Sequence, residues 1–403
     1  MSEIHQQGAE PVVRIAAKGD GVTASGRHVA GGVPGDIILA EGKLQRGPHH
    51  VDPPCRHFAR CGGCQLQHAD EDALRQYVTD RVTHAAASQE IAIGKLLPTH
   101  LSPPRSRRRA TLHGLRTGAG VVLGFREAGS HRIIDITECP VMRPELFDLV
   151  IPLRKALAGA AGKRPVDVAL TLADQGVDVA ISGLELDGLG PTETMLDFAR
   201  EQNLARLSLD QGFGPENLWE PQPVTVSLSG VPVALPPAAF LQPTLDGEQA
   251  LVADARSFLG EAATVADLFA GLGTFAFALT PETRVLAVEA ARDAHLACLA
   301  AANRHARRVS ALHRDLFRAP LQPDELNRFE AVLLDPPRAG ARDQIREIAA
   351  SKVERVGYIS CNPSSWARDA RTLVDAGFRL EILRPVGQFR WSTHVELTSL
   401  FLR

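Results

Sequence analysis

Apolar and polar positions follow three different rhythms along the chain. Over residues 11–41, short apolar runs such as V-V-R-I-A-A and I-I-L-A are cut by glycine every few positions. Short runs broken by turn residues predict a small antiparallel sheet of barrel type. Residues 42–54, rich in His, Gly and Pro, read as a connection. Between 100 and 240, strand patterns mix with helical ones near 144–160 and 190–203. There V-D-V-A-L-T-L-A and V-D-V-A-I-S flank Asp174-Gln175-Gly176 and predict a hairpin. From about 241 the rhythm becomes strand, turn, helix. T-V-A-D-L-F, R-V-L-A-V-E, A-V-L-L-D, V-E-R-V-G-Y-I-S and the closing V-E-L-T-S-L-F-L predict strands. F-A-F-A-L and R-D-A-H-L-A-C-L-A-A-A-N-R-H-A predict helices. This alternation predicts a parallel sheet with helices on both faces.

The fold class that follows is α/β, with a doubly wound, Rossmann-like C-terminal domain. The expected segments are 1–48, a β-barrel-like piece shorter than a full OB- or TRAM-like barrel, and 49–99, a cysteine cluster with a connecting helix. A central α+β domain over 100–240 and the doubly wound domain over 241–403 follow. A chain of 403 residues is long for one core, so several domains are expected.

Composition narrows the class. The chain is 44% hydrophobic and 23% charged, with a formal net charge of −3. These are ordinary globular values. They exclude a protein coated in positive charge but leave room for a local phosphate-binding patch. The first ten residues show no basic-then-apolar leader, and no apolar run is long enough to span a membrane, so the expected location is the cytoplasm.

The C-terminal segment carries an ordered set of polar positions. D-L-F-A-G-L-G-T-F (267–275) follows its first predicted strand. Gly271 and Gly273 let the backbone turn sharply and approach a ligand. The next strand ends at Glu289, placed to bind ribose hydroxyls. Asp315 follows the third strand, and the fourth ends in L-L-D-P-P-R at Asp335. Together they point to an adenosine-containing ligand at the C-terminal edge of the sheet. A dinucleotide wants a third glycine where Ala276 stands. S-adenosylmethionine has no pyrophosphate and needs no such cradle, so it is the favoured ligand.

Two thiol features remain. Cys361, in Y-I-S-C-N-P, lies where an apolar strand opens into a loop, a position suited to a nucleophile. Cys55, Cys61 and Cys64 are spaced C-x5-C-x2-C. With His57 or His68 they suit zinc; with Cys139 they suit a [4Fe–4S] cluster. Spacing alone favours neither. Cys298, in an alanine-rich helix, reads as a small buried hydrophobe. Arg105, Arg107, Arg108 and Arg109 form the densest positive run, suited to RNA phosphates and splayed bases.

D-L-F-A-G-L-G-T-F, L-D-P-P-R-A-G, S-C-N-P, H-V-E and the upstream cysteines resemble the RNA uracil-C5 methyltransferases, in particular the iron–sulfur-containing group that modifies bacterial 23S ribosomal RNA. The resemblance spans nearly the whole chain. It implies that Gln242, Phe269, Thr274, Glu289, Asp315 and Asp335 line an S-adenosylmethionine site. It implies that Cys361 is the nucleophile, Glu396 the base, and Cys139 the fourth ligand of a [4Fe–4S] cluster. Asn is usual in that family where Thr274 stands, and aspartate where Gly387 stands. The expected function is methylation of uracil C5 in 23S ribosomal RNA by a monomeric enzyme, with no membrane partner. Transfer RNA is the alternative substrate, its branch typically lacking the cysteine set. A non-catalytic RNA-binding protein is the alternative class.

Overall fold

A computed structural model describes residues 9–118, 120–160, 164–279, 282–305 and 308–403. Part of the first expected segment, residues 1–8, lies outside them. Residues 10–45 form a five-stranded antiparallel sheet around a small core of Val12, Val29 and Ile38. Its turns need glycine: Gly19, Gly26 and Gly42 all have φ between 85° and 99°.

The helix Glu71–Ala87 starts where the Asp70 side chain accepts the Ala73 amide, with Glu71 and Asp72 in its first turn. It buries Leu74, Tyr77, Val78 and Val82 in the same core as the C-terminal sheet. Its Tyr77 hydroxyl lies 3.2 Å from the Ala17 carbonyl and 3.3 Å from that of Thr393. The helix thus ties the N-terminal sheet to the segment preceding the last strand.

The central sheet has seven strands. The expected hairpin is present as Val166–Ala173 paired with Gly176–Ser182. Helices Val150–Ala160 and Leu189–Glu201 pack their apolar stripes into the core of this sheet.

The third sheet has nine strands. Val309–His313, Arg284–Glu289, Thr264–Leu268, Ala331–Leu334 and Arg355–Ser360 run parallel in that order. Glu396–Leu402 inserts antiparallel between Arg355–Ser360 and Arg379–Gly387. The chain order reverses between Thr264–Leu268 and Ala331–Leu334, and such a switch point opens a crevice at the carboxyl ends of the strands.

Two features depart from the expected layout. The closing strand runs against its neighbours. In addition, Ile93–Leu96 and His100–Leu101 pair with Arg379–Gly387 and complete the edge of this sheet. Residues 93–101 therefore belong by pairing to the C-terminal sheet, and the boundary at 99/100 falls inside that edge. This edge also accounts for Gly387: a Cβ there would stand 2.5 Å from Leu101 Cδ2 and 3.2 Å from Val78 Cγ2. A larger residue at this position would require the Leu101 side chain to move.

Candidate functional site

A cavity of about 730 Å³ opens at the switch point, within the roughly 300–1,000 Å³ usual for small-molecule sites. Gln242, Phe269, Gly271, Thr274, Glu289, Asp315, Asp335, Cys361 and Glu396 all line it. Gly273 lies behind the wall. It has φ +92°, and a Cβ there would stand 2.7 Å from Phe277 Cε2 and 2.9 Å from Cys298 Sγ. Gly271, at φ +56°, faces open space, so the backbone is bare toward the cavity.

The cavity has two ends. At one, Glu289 Oε2 accepts the Gly271 amide at 2.9 Å and Oε1 the Ala291 amide. These bonds hold the carboxylate and leave lone pairs for a ribose. Phe269, strained at φ 64°, stands 5.4 Å from the exposed ring of Phe317. Such strain costs on the order of 1–3 kcal/mol and persists only where the surroundings enforce it. The two rings offer a stacking wall for an adenine. Asp315 Oδ1 accepts the Phe317 amide at 2.9 Å and so fixes that turn. Sequence reasoning missed Phe317, because only the fold pairs it with Phe269.

At the other end lie Asp335, Cys361 and Glu396. Cys361 follows the strand Arg355–Ser360, and Glu396 opens the adjacent strand, where Ser360 pairs with Leu397. Antiparallel pairing thus brings thiol and carboxyl to the same sheet edge. Glu396 is only 5% exposed, and burial followed by the charge of Asp335 pushes it up to about 8. Burial pushes Asp335 to about 7. Burial, Glu396 and Asp335 raise Cys361 to about 11, while Arg338 acts the other way. The helix Pro363–Asp375, capped by Asn362, begins just past the thiol, and its N-terminus also favours a thiolate.

A buried hydrogen-bond chain joins these groups. Gln242 Nε2 donates to Asp335 Oδ2 at 3.2 Å, Gln388 Nε2 donates to Gln242 Oε1 at 2.8 Å, and Gln388 Nε2 also contacts Glu396 Oε2. The sequence reading singled out neither Gln388 nor Arg338. Cys298 is 1% exposed and only packs, as expected.

Cys55, Cys61, Cys64 and Cys139 line a single small pocket with Phe58, Phe125, Arg107 and Met142, and all four are free thiols. Burial is the first cause raising each, Cys64 to about 12. Backbone amides of His57, Gly63, Val141 and Met142 approach Cys55, Cys61 and Cys139, which suits thiolate sulfurs. Among the described residues, no three or more His, Cys, Asp or Glu side chains form a group that could hold a metal ion as they stand. His57 Nε2 accepts the Thr137 amide, and the His68 ring packs instead against His50 and Phe58. His57 nevertheless lines the cysteine pocket, and the two buried ring nitrogens of His68 have no hydrogen-bond partner, so the histidines do not exclude the zinc alternative.

The arginine run expected to meet RNA phosphates is largely turned inward. Arg108 is 8% exposed and pairs with buried Glu248. Arg109 donates to the Leu241 carbonyl and lies over Phe240; half-buried Arg107 lies over Phe389. These three join the central strand that begins at Arg109 to the segment 240–248 and to Phe389. Only Arg105 is exposed. A second concavity of about 660 Å³ on the central sheet gathers Arg60, Arg126, Arg132 and His131 around Leu115, Val122 and Ile133.

The switch-point cavity, bare glycine turn and acidic strand end define a doubly wound methyltransferase using S-adenosylmethionine. Similar proteins narrow the class. The family model for tRNA (uracil-5-)-methyltransferases matches residues 235–403. An uncharacterized RNA methyltransferase of Zymomonas mobilis is 48% identical, covering 97% of this chain and 99% of its own. The 23S rRNA (uracil(1939)-C(5))-methyltransferase RlmD of Pectobacterium atrosepticum is 30% identical, covering 98% and 92%. The crystal structure of the tRNA (uracil-54, C5)-methyltransferase of Pyrococcus abyssi with S-adenosyl-L-homocysteine shares the fold, with TM-score 0.76, 21% identity and coverage of 98% and 99%. The chain belongs to the RNA (uracil-C5)-methyltransferase family.

Proposed function

We propose that this enzyme methylates C5 of a uridine in 23S ribosomal RNA, with Cys361 as nucleophile and Glu396 as base. The observation that carries this reading is the meeting of the two groups across paired strands in the cavity that holds the cofactor-type residues. The ribosomal target rests on the 30% identity to the Pectobacterium enzyme along almost the whole chain.

Uracil C5 is a weak nucleophile. Addition of the Cys361 thiolate to C6 moves the ring electrons to C5 and O4. C5 then takes the methyl group that S-adenosylmethionine supplies, leaving S-adenosylhomocysteine. Glu396 removes the C5 proton, the C5–C6 double bond re-forms, and the thiolate leaves. A carboxyl near 8 suits a base at neutral pH, since catalytic efficiency peaks when the pKa lies near the working pH. Gln242, Phe269, Gly271, Thr274, Glu289, Asp315 and Asp335 would hold the cofactor. Gly273 would let the turn close against Phe277.

The four thiols share one pocket with amide donors but would have to draw closer than they stand to hold a [4Fe–4S] cluster, whose binding residues would be Cys55, Cys61, Cys64 and Cys139. In this reading the cluster fixes the loop 55–64 against the catalytic segment, where the Gln65 and Leu66 amides donate to the Trp391 carbonyl.

Cys361→Ala tests the chemistry. Loss of all methyl transfer to RNA, with S-adenosylmethionine still bound, is expected. A variant that still methylates contradicts it.

A further inference from the structure

Gln388 lies in no cofactor motif, yet it is 2% exposed and its amide sits between two functional groups. The polarity of the chain can be read from Asp335. In its ionised form Asp335 accepts only, so Gln242 turns its NH2 to Asp335 and its carbonyl to Gln388. Gln388 must then present its own NH2, and the second hydrogen of that group meets Glu396 Oε2. The side chain has little freedom. Gly247, in the first turn of the helix Leu245–Leu259, presses on it: a Cβ at Gly247 would stand 2.5 Å from Gln388 Oε1.

We propose that Gln388 is a positioning residue that orients Glu396, favours its ionised form for removal of the uracil C5 proton, and links it through Gln242 to Asp335. The inference rests on the reading of Glu396 given above. Donation to a carboxylate favours its charged form, and Gln388 lowers Glu396 against burial and Asp335. The charged and titratable groups near this pair include Asp335, Cys361, Arg338, the His100–Asp246 pair beside Gly247, and the Arg108–Glu248 pair, whose arginine donates to the Gln242 carbonyl. Among the described residues, Gln388 is the side chain that bridges Glu396 and the Gln242 amide.

Gln388→Met keeps length and volume and removes both donors. The ascending limb of its kcat–pH profile is expected to move alkaline by about one unit, as loss of a hydrogen bond to a charged group implies. The KM for S-adenosylmethionine should stay within about twofold, because Gln242 and the other cofactor-binding groups remain. Thiol addition and methyl transfer precede proton removal. A methylated protein–RNA adduct should therefore accumulate on denaturing gels at neutral pH and decay when the pH is raised. Gln388→Glu, which sets a second carboxyl beside Glu396, should shift the limb further the same way. Folding of both variants is checked by S-adenosylmethionine binding, and if the Met variant does not fold the Glu variant decides. An active wild type whose folded variants keep the wild-type limb and accumulate no adduct overturns this inference alone. A wild type that forms neither adduct nor 5-methyluridine on any RNA overturns the functional reading and this inference with it.

Discussion

In the proposed reaction Cys361 acts at C6 and Glu396 at C5, so each substitution should stop it at a different point. Cys361→Ala prevents addition, and no covalent complex with RNA should form. Glu396→Gln removes the base but leaves the thiol. It should lower kcat by about 10²–10⁴-fold and leave a methylated adduct visible on a denaturing gel. Rapid turnover by Glu396→Gln would reassign the base. The buried carboxyls also set a stability trend. Glu396 and Asp335 have folded-state pKa values raised to about 8 and about 7. The folded protein therefore holds protons that the unfolded chain has released, and stability falls as pH rises from about 4.5 through 8. The melting temperature without cofactor should drop over that range, and Glu396→Gln should flatten the drop; a pH-independent Tm would refute the raised values. The glycine turn, the acidic strand end and Cys361 were legible locally because each is fixed by its own strand end. Gln388 and Phe317 were not, since their roles come from partners 146 residues away in one case and on a separate loop of the same wall in the other.

At the scale of elements, the same basic run that reads as an RNA surface in the sequence works as a clamp in the fold. A strand's first residues are read as exposed when their neighbours are unknown; here Arg108 meets Glu248 from a helix 140 residues on. Breaking a buried pair by removing one partner costs about 3–5 kcal/mol. Arg108→Ala should therefore lower the denaturation midpoint strongly, and an unchanged midpoint would contradict the clamp. The loop 55–64 makes a separate prediction. Protein prepared without oxygen should contain iron and sulfide and absorb broadly in the visible. Cys64→Ser should lose both, and zinc without iron would contradict the cluster. The cysteine spacing marked this loop in the sequence. The convergence of Cys139 with the other three came from the resemblance, because proximity across 75 residues of chain (Cys64 to Cys139) is a property of the fold.

For the whole molecule, the alternating rhythm after 241 foretold the doubly wound sheet, whose buried strands need continuous apolar runs. It did not foretell that residues 93–101 complete that sheet, since edge pairing is set by tertiary packing and leaves little trace in a four-residue segment. The helix Glu71–Ala87 packs into the core of the C-terminal sheet, and the arginine clamp ties the central strand to the segment 240–248, from which Phe240 and Gln242 line the cavity. Among the described residues no helix is long and apolar enough to cross a membrane. With the run 107–109 turned inward, the concavity that holds Arg60, Arg126 and Arg132, alongside Asp135 and Asp167, is the next candidate for an RNA contact. Arg126→Glu with Arg132→Glu should weaken RNA binding and reduce its salt dependence by about one unit of log–log slope per lost phosphate contact, without altering S-adenosylmethionine binding; unchanged affinity would move the RNA elsewhere.

The central claim is tested most directly by mass spectrometry of RNA digests. The purified protein is incubated with S-adenosylmethionine and, separately, ribosomal and transfer RNA from a strain lacking its gene. The account predicts 5-methyluridine in 23S ribosomal RNA, abolished by Cys361→Ala. Methylation confined to transfer RNA would contradict the substrate, and 5-methyluridine in neither RNA, with cofactor bound, would contradict the reaction itself.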